Sequence, residues 1–210
     1  MNTVKAQYIS GVETLSDDAL REALSNLESH DISCVNWKEF PYKPSVSFRM
    51  AYSEKSIAVM FEVTEEHVKA VALEDNGPVW EDSCVEFFVL GPDGKHYTNF
   101  EMNCAGTMLA ALRTSRHDPS AFTPEQFAKI RRITSLPHER IDSPGERQSW
   151  WAIEVIPFES MGYAEVPSSI RANLYKCGDK CEKAHFLSWS PIGLPSPDFH
   201  CPDFFGTIEL

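Results

Sequence analysis

Glu86 is the first residue in this chain whose placement asks for a chemical reason. Strand parity over 84–90 sets it among Cys84, Phe88 and Leu90, an otherwise apolar row, and an acid is seldom buried without a partner. Two further stretches carry polar rows. In 97–104, Asn99, Glu101 and Asn103 oppose Phe100, Met102 and Cys104; in 170–177, Arg171, Asn173 and Tyr175 oppose Ile170, Ala172 and Leu174. If the three strands share a sheet, Glu86, Glu101, Asn103, Arg171, Asn173 and Tyr175 form one patch of hydrogen-bond donors and acceptors. The alternative is an ordinary solvated sheet face. Two aromatics weigh against that alternative. Trp80 follows the turn sequence Asn76-Gly77-Pro78-Val79, and Phe199 lies in Pro195-Ser196-Pro197-Asp198-Phe199-His200, so both fall on loops. Loop aromatics beside a polar face suit a pyranose ring, which offers an apolar C–H face for stacking and hydroxyls for hydrogen bonds. They could instead plug the ends of the fold.

Other chemistries compete for the same residues. Glu86 with Glu101 or Glu154 could be the acid pair of a glycosidase, although parity places Glu154 with Trp150, Ala152 and Ile156. A haem could sit between a methionine, Met102 or Met108, and a histidine, His96 or His200; Met102 falls by parity in the core. Cys177 and Cys181 are separated by three residues and, with His185 and Cys201, suggest a metal site. A zinc site usually shows a second tight pair of ligands, and none is present, so free thiols in a reducing compartment are the favoured reading. One disulfide after oxidation stays open. No His-Ser-Asp arrangement and no glycine-rich phosphate signature is present.

The elements that must position these side chains are mostly strands. Asp17–Leu27, after Ser16, has a capping residue, early acids and Leu20, Leu24 and Leu27 on one face, which predicts a short amphipathic helix. From residue 33 the pattern turns to period two. Val46, Phe48, Met50 and Tyr52, then Ile57, Val59, Phe61 and Val63, predict a β-hairpin. Further strands are expected near 68–73, 83–90, 96–104, 107–113, 149–156, 168–177, 185–190 and 204–210. With no helix regularly between them, the fold class is all-β, an antiparallel two-sheet β-sandwich of immunoglobulin-like or jelly-roll-like form with one or two short peripheral helices. The stretch 116–146 breaks this rhythm with a second short helix near 123–131, and reads as a long excursion between strands of one domain, 1–210.

Composition bounds the partners. The chain has 210 residues, 42% hydrophobic and 24% charged, with 31 acidic against 19 basic side chains and a net charge of -12. Such a surface repels polyanions, so nucleic acid and anionic membrane are not expected partners. No apolar run approaches the length of a membrane span, and the start lacks a basic-then-apolar signal pattern, so a cytoplasmic location is expected.

Several blocks together resemble the family 9 carbohydrate-binding modules and the wider family-9-like proteins. They are Pro78-Val79-Trp80-Glu81-Asp82-Ser83-Cys84-Val85-Glu86-Phe87-Phe88-Val89, Asn99-Phe100-Glu101-Met102-Asn103, Ile170-Arg171-Ala172-Asn173-Leu174, Leu187-Ser188-Trp189-Ser190 and the closing Phe199-His200-Cys201-Pro202-Asp203-Phe204-Phe205-Gly206-Thr207-Ile208-Glu209-Leu210. The likeness runs from about residue 33 to the end and leaves 1–32 as an N-terminal extension. It implies a β-sandwich of the kind attached to xylanases and related hydrolases, serving carbohydrate catabolism by non-catalytic binding of oligosaccharide or polysaccharide ends between two tryptophans, with structural calcium ions nearby. The resemblance places the first clamping aromatic on Trp80 and the second on Phe199, where a tryptophan is replaced. It places the family acid on Glu86 and the later amide on Asn173. A family arginine aligns with Glu101 and a glutamine with Tyr175, both departures from the pattern, and no set of calcium ligands matches residue by residue. With Glu86 and Glu101 close together a cation is needed, and Arg171 is the expected one.

Overall fold

The computed structural model describes Met1–Leu210. The expected alternation builds two facing sheets. The first runs Thr3–Lys5, Gly206–Glu209, Ser169–Cys177, Cys84–Leu90, Tyr97–Asn103, Met108–Arg113, Pro119–Ala121, with Phe186–Ser188 also paired to Ser169–Cys177 and Cys34–Val35 paired to Phe186–Ser188. The second runs Arg131–Thr134, Ile141–Pro157, Ser56–Ala70, Ser45–Tyr52, Gln7–Tyr8, with His30–Asp31 beside Ser45–Tyr52. All pairings are antiparallel except two short ones, Thr3–Lys5 with Gly206–Glu209 and Gln7–Tyr8 with Ser45–Tyr52. No helix is long and apolar enough to cross a membrane.

Period-two patterning decides what lies between the sheets. Val85, Phe87 and Val89 from one strand, Phe100 and Met102 from the next, and Ile170, Ala172 and Leu174 from a third meet Phe48, Val59, Phe61 and Ala152 of the opposite sheet in a single buried cluster. Burying each large apolar side chain in this layer contributes on the order of 1.5 to 3 kcal/mol. The complementary parity, Cys84, Glu86, Phe88, Glu101, Asn173 and Tyr175, therefore faces away from the main core. That outer face is not solvated. The segment 186–205 folds back over it, and Trp37, Val79, Phe88, Tyr97, Tyr175, Ile192, Phe199 and Phe205 form a second buried cluster there.

One charged bridge crosses the interior. Lys176, which is fully buried, pairs with Glu65 of the opposite sheet at 2.9 Å and donates to the Cys177 carbonyl at 2.8 Å and to His185 Nε2 at 2.9 Å. His185 Nδ1 meets the Lys183 carbonyl at 2.8 Å, which leaves Nε2 as the acceptor of the lysine's hydrogen bond. Trp150 Nε1 donates to Glu65 Oε1 at 2.8 Å. This network pins the end of strand Ser169–Cys177, from which Tyr175 and Cys177 project to the outer face.

Two expectations about the chain's course are corrected. The first 32 residues are built into the sandwich rather than appended to it. Thr3–Lys5 pairs with the C-terminal strand, and the helix Asp17–Ser25, capped by Ser16, packs Leu20 and Leu24 on Ala51, Ala58, Met60, Ile153 and Val155 of the second sheet's outer face. The stretch 116–146 is the crossing between sheets rather than an excursion. Pro119–Ala121 pairs in the first sheet, Arg131–Thr134 in the second, and Ile141–Pro157 is a single long strand; the helix between them is only Pro124–Phe127. At the other end Gly206 is dictated by close approach, since a Cβ there would lie 2.5 Å from the Trp189 ring and 2.6 Å from the Asn2 carbonyl.

Candidate functional site

The register of three strands lays out the floor of the site. Glu86 stands directly opposite Glu101 on one neighbouring strand and Tyr175 on the other, and one row along Cys84 stands opposite Cys177. Above this floor opens a cavity of about 280 Å³, lined by Glu86, Glu101 and Cys177 below and by loop residues around it. Trp80, on the 3-10 turn Val79–Glu81, lines it with 37% of its surface exposed. Phe199 lines it from the 195–200 loop, seated on Tyr175 with ring centroids 4.1 Å apart and an interplanar angle of 8°. Both loop aromatics expected from the sequence thus reach one cavity. Trp80 offers an exposed indole, whereas Phe199 is largely buried and held by the ring beneath it.

The cations of this cavity are not the expected one. Arg113, at the end of strand Met108–Arg113, donates from Nε to Asn99 Oδ1 at 2.7 Å, and Asn99 Nδ2 donates to Glu101 Oε1 at 2.9 Å. Arg116 and His117 add further positive or titratable groups to the wall. Burial pushes the Glu101 carboxyl up to about 7, against the opposing pull of Arg113 and the Asn99 hydrogen bond. Burial and the facing Glu101 charge raise Glu86 well above the carboxylate range, while the Cys177 thiol, donating at 3.0 Å, pulls the other way. Asp179, held where its backbone N–H donates to the Trp80 carbonyl, is raised by burial to about 6. Burial, with Arg113 and Arg116 near, lowers His200 to about 3, so its neutral ring bonds the Tyr97 hydroxyl at 2.9 Å. The cavity therefore combines acids that hold protons readily, a strong donor in Arg113 and an apolar indole.

Four of the expected site residues do not line it. Arg171 lies on the same face but two rows away, donating to the Pro202, Asp203 and Phe205 carbonyls, so it anchors the C-terminal turn and does not neutralise the glutamates. Asn173 holds the covering segment, giving Nδ2 to the Ser190 carbonyl and receiving the Ser190 and Leu174 N–H groups. Asn103 bonds Asp82, the Ala72 carbonyl and two turn N–H groups. Tyr175 is fully buried beneath Phe199 and donates to its carbonyl. Strand parity put all four on the correct face; it contains nothing about which positions the 186–205 segment covers. Arg113, Arg116, His117, Asp179, Asp198 and His200 are charged or titratable lining residues that strand parity does not point to. Asp179 lies inside the Cys177–Cys181 run and Asp198 and His200 in the loop that carries Phe199, whereas Arg113, Arg116 and His117 belong to no motif of the sequence.

Of the rival pairings, Glu86 and Glu101 share the cavity floor, whereas the others separate in space. Glu154 sits between the sheets, paired in register with Arg132 and Val59, and cannot face Glu86. Met102 and Met108 belong to the inter-sheet core, while His96 is hydrogen-bonded to Asp93 on a turn and His200 lies on the other face, so these methionines and histidines do not form a ligand pair. All six cysteines are free, and Cys177 turns toward Glu86 rather than toward Cys181 and His185.

A β-sandwich carrying an aromatic and a carboxylate-lined cavity on the outer face of one sheet is a ligand-binding architecture, with the ligand held by strand-borne polar groups and loop-borne rings. The profile of carbohydrate-binding family 9 matches residues 16–210, from the capping residue of the first helix onward, and the chain belongs to that family. Its function is carbohydrate binding. A candidate carbohydrate-binding protein from Bacteroides uniformis is 38% identical, superposes with a TM-score of 0.93 and covers 99% of this chain and 98% of its own. Family 9 modules from Caldicellulosiruptor kristjanssonii, solved with cellotriose and with glucose, superpose with TM-scores of 0.66 and 0.64 at 11% and 12% identity. They cover 99% of this chain and 93% and 95% of their own, and share the fold. Among curated proteins none matches the chain. The calcium that the family suggests finds no fit at this site: the side chains grouped closely enough for an ion are Cys84, Glu86 and Cys177. Two sulfurs and one carboxyl are a poor set for a cation that takes six to eight oxygens.

Proposed function

We propose that the cavity beside Trp80 holds the terminal unit of an oligosaccharide in the course of carbohydrate catabolism. The observation that carries this reading is the pairing of an exposed indole with a polar floor in a space of about 280 Å³. That is the lower end of ligand-site volumes, roughly 300 Å³ and upward, which suits one ring entering end-on rather than a run of polymer lying across a groove. The Trp80 indole stacks on the apolar face of the ring. Protonated Glu86 and Glu101 donate to hydroxyl oxygens or, once ionised, accept from hydroxyls, and the Arg113 guanidinium supplies a fixed donor. The cellotriose and glucose complexes of the Caldicellulosiruptor modules support trying β-linked glucose oligomers first.

A glycan array followed by calorimetry with cellobiose, xylobiose and glucosamine tests it. Trp80→Ala is expected to weaken binding of the selected sugar by on the order of 1 to 2 kcal/mol, a loss of roughly 5- to 30-fold. Unchanged affinity would move the sugar away from this cavity.

A further inference from the structure

We propose that Cys84, Cys177 and Glu86 form a binding site for a thiophilic divalent cation of the zinc class in the floor of the cavity. The two cysteines stand directly opposite each other on antiparallel strands, and Glu86 is two residues along from Cys84 on the same face. Their sulfur atoms and a carboxylate oxygen all lie within 4.8 Å of one another. Ligands at zinc–sulfur distance around a tetrahedral ion stand about 3.8 Å apart, so closing this trio needs shifts of about 1 Å or less. All three are buried, and the rigid centre of the first sheet holds them.

A second observation points to a missing partner. Glu86 is 2% exposed, its Oε1 accepts from Cys177 Sγ at 3.0 Å, and its Oε2 has no hydrogen-bond partner. A buried carboxyl oxygen left without a partner costs about 1 to 3 kcal/mol, and a bound cation would satisfy it. The donor set selects the ion: two thiolates and one carboxylate suit zinc or cadmium and not a hard cation. Access exists as well, because Cys177 and Glu86 line the cavity while Cys84 lies behind them. An ion held by the trio would thus be reached from the cavity. Binding proceeds by exchange, each ligand that carries a proton releasing it to solvent as its sulfur or oxygen bonds the metal, with no change of oxidation state. Because the ligands must lose their protons to bind, uptake strengthens as pH rises. This site stands on its own geometry and does not depend on the sugar reading.

The test is titration of the reduced, metal-stripped full chain with Cd²⁺ and Zn²⁺, followed by native mass spectrometry and the cadmium–thiolate ultraviolet band. One tightly held ion per chain is expected, and X-ray absorption at the zinc edge should count two sulfur neighbours. Cys84→Ser and Cys177→Ser should each weaken binding at least tenfold, whereas Cys181→Ser, which alters the thiol beside His185, should leave it intact. No uptake at micromolar metal, a sulfur-free zinc shell, or undiminished binding in the Cys84→Ser/Cys177→Ser double variant would overturn the proposal. So would conversion of the pair to a disulfide under conditions that keep the other thiols reduced. The absorption measurement uses the wild-type chain and remains decisive if the variants do not fold.

Discussion

Replacing Glu154 with glutamine should change how the stability of this protein depends on pH. Glu154 is fully buried between the sheets, and neither carboxyl oxygen has a hydrogen-bond partner. Arg132 is its neighbour in register, yet that guanidinium is committed to Asp75 at 2.6 and 3.0 Å and to the Gly106 carbonyl. Burial therefore lifts the Glu154 carboxyl well above its ordinary value of 4.5, with Arg132 only partly opposing. The sign follows from linkage. Below the unfolded value both states hold the proton and the contribution is complete. As pH rises, the unfolded chain gives up its proton while the folded chain keeps it, so the unfolded state is favoured by about 1.4 kcal/mol per pH unit. Between the ordinary carboxylate value and its raised folded value the wild type should therefore lose stability with rising pH that Glu154→Gln does not. Glu86 and Glu101 have slopes of the same sign, but they are common to both chains and cancel in the difference. Urea unfolding at four or five pH values measures it, with the m-value checking that the transition stays two-state. Parallel curves would refute the reasoning and would mean that Arg132 turns to Glu154 and ionises it in the folded protein.

Two further substitutions test the frame that holds the cavity. Lys176→Met removes one side of the buried pair with Glu65 and should cost about 3 to 5 kcal/mol in chemical denaturation, while adding Glu65→Leu should recover part of the loss, because no unpaired charge then remains although the Trp150 Nε1–H loses its acceptor. Gly206→Ala should cost about 1 to 3 kcal/mol, read as a lower Tm, since the new methyl meets the Trp189 ring and the Asn2 carbonyl at 2.5 and 2.6 Å; an unchanged Tm would mean that the C-terminal strand shifts freely.

The sandwich and the face of each strand were legible from residue order because a strand's side chains alternate, and a buried face leaves that alternation in the sequence. Val85, Phe87 and Val89 announce the core, so Cys84 and Glu86 are assigned to the other face without coordinates. Trp80 and Phe199 were legible as loop aromatics because turn residues surround them, and the blocks around them carried the family likeness. The partners across that face were not legible. Whether Glu86 meets Glu101, and whether the nearby cation is Arg171 or Arg113, depends on strand order and on which end of each strand the covering loops reach. These are long-range facts: Arg171 is used up by the carbonyls of 202–205, and Arg113 reaches Glu101 through Asn99 because its strand ends beside the 114–118 loop. The first 32 residues show the same division. Local capping and periodicity marked the helix after Ser16, but only pairing with a strand two hundred residues later made Thr3–Lys5 part of the sheet. Sequence periodicity determined which side of each strand is dry; tertiary packing decided which of the remaining polar groups became structural and which were left facing a cavity.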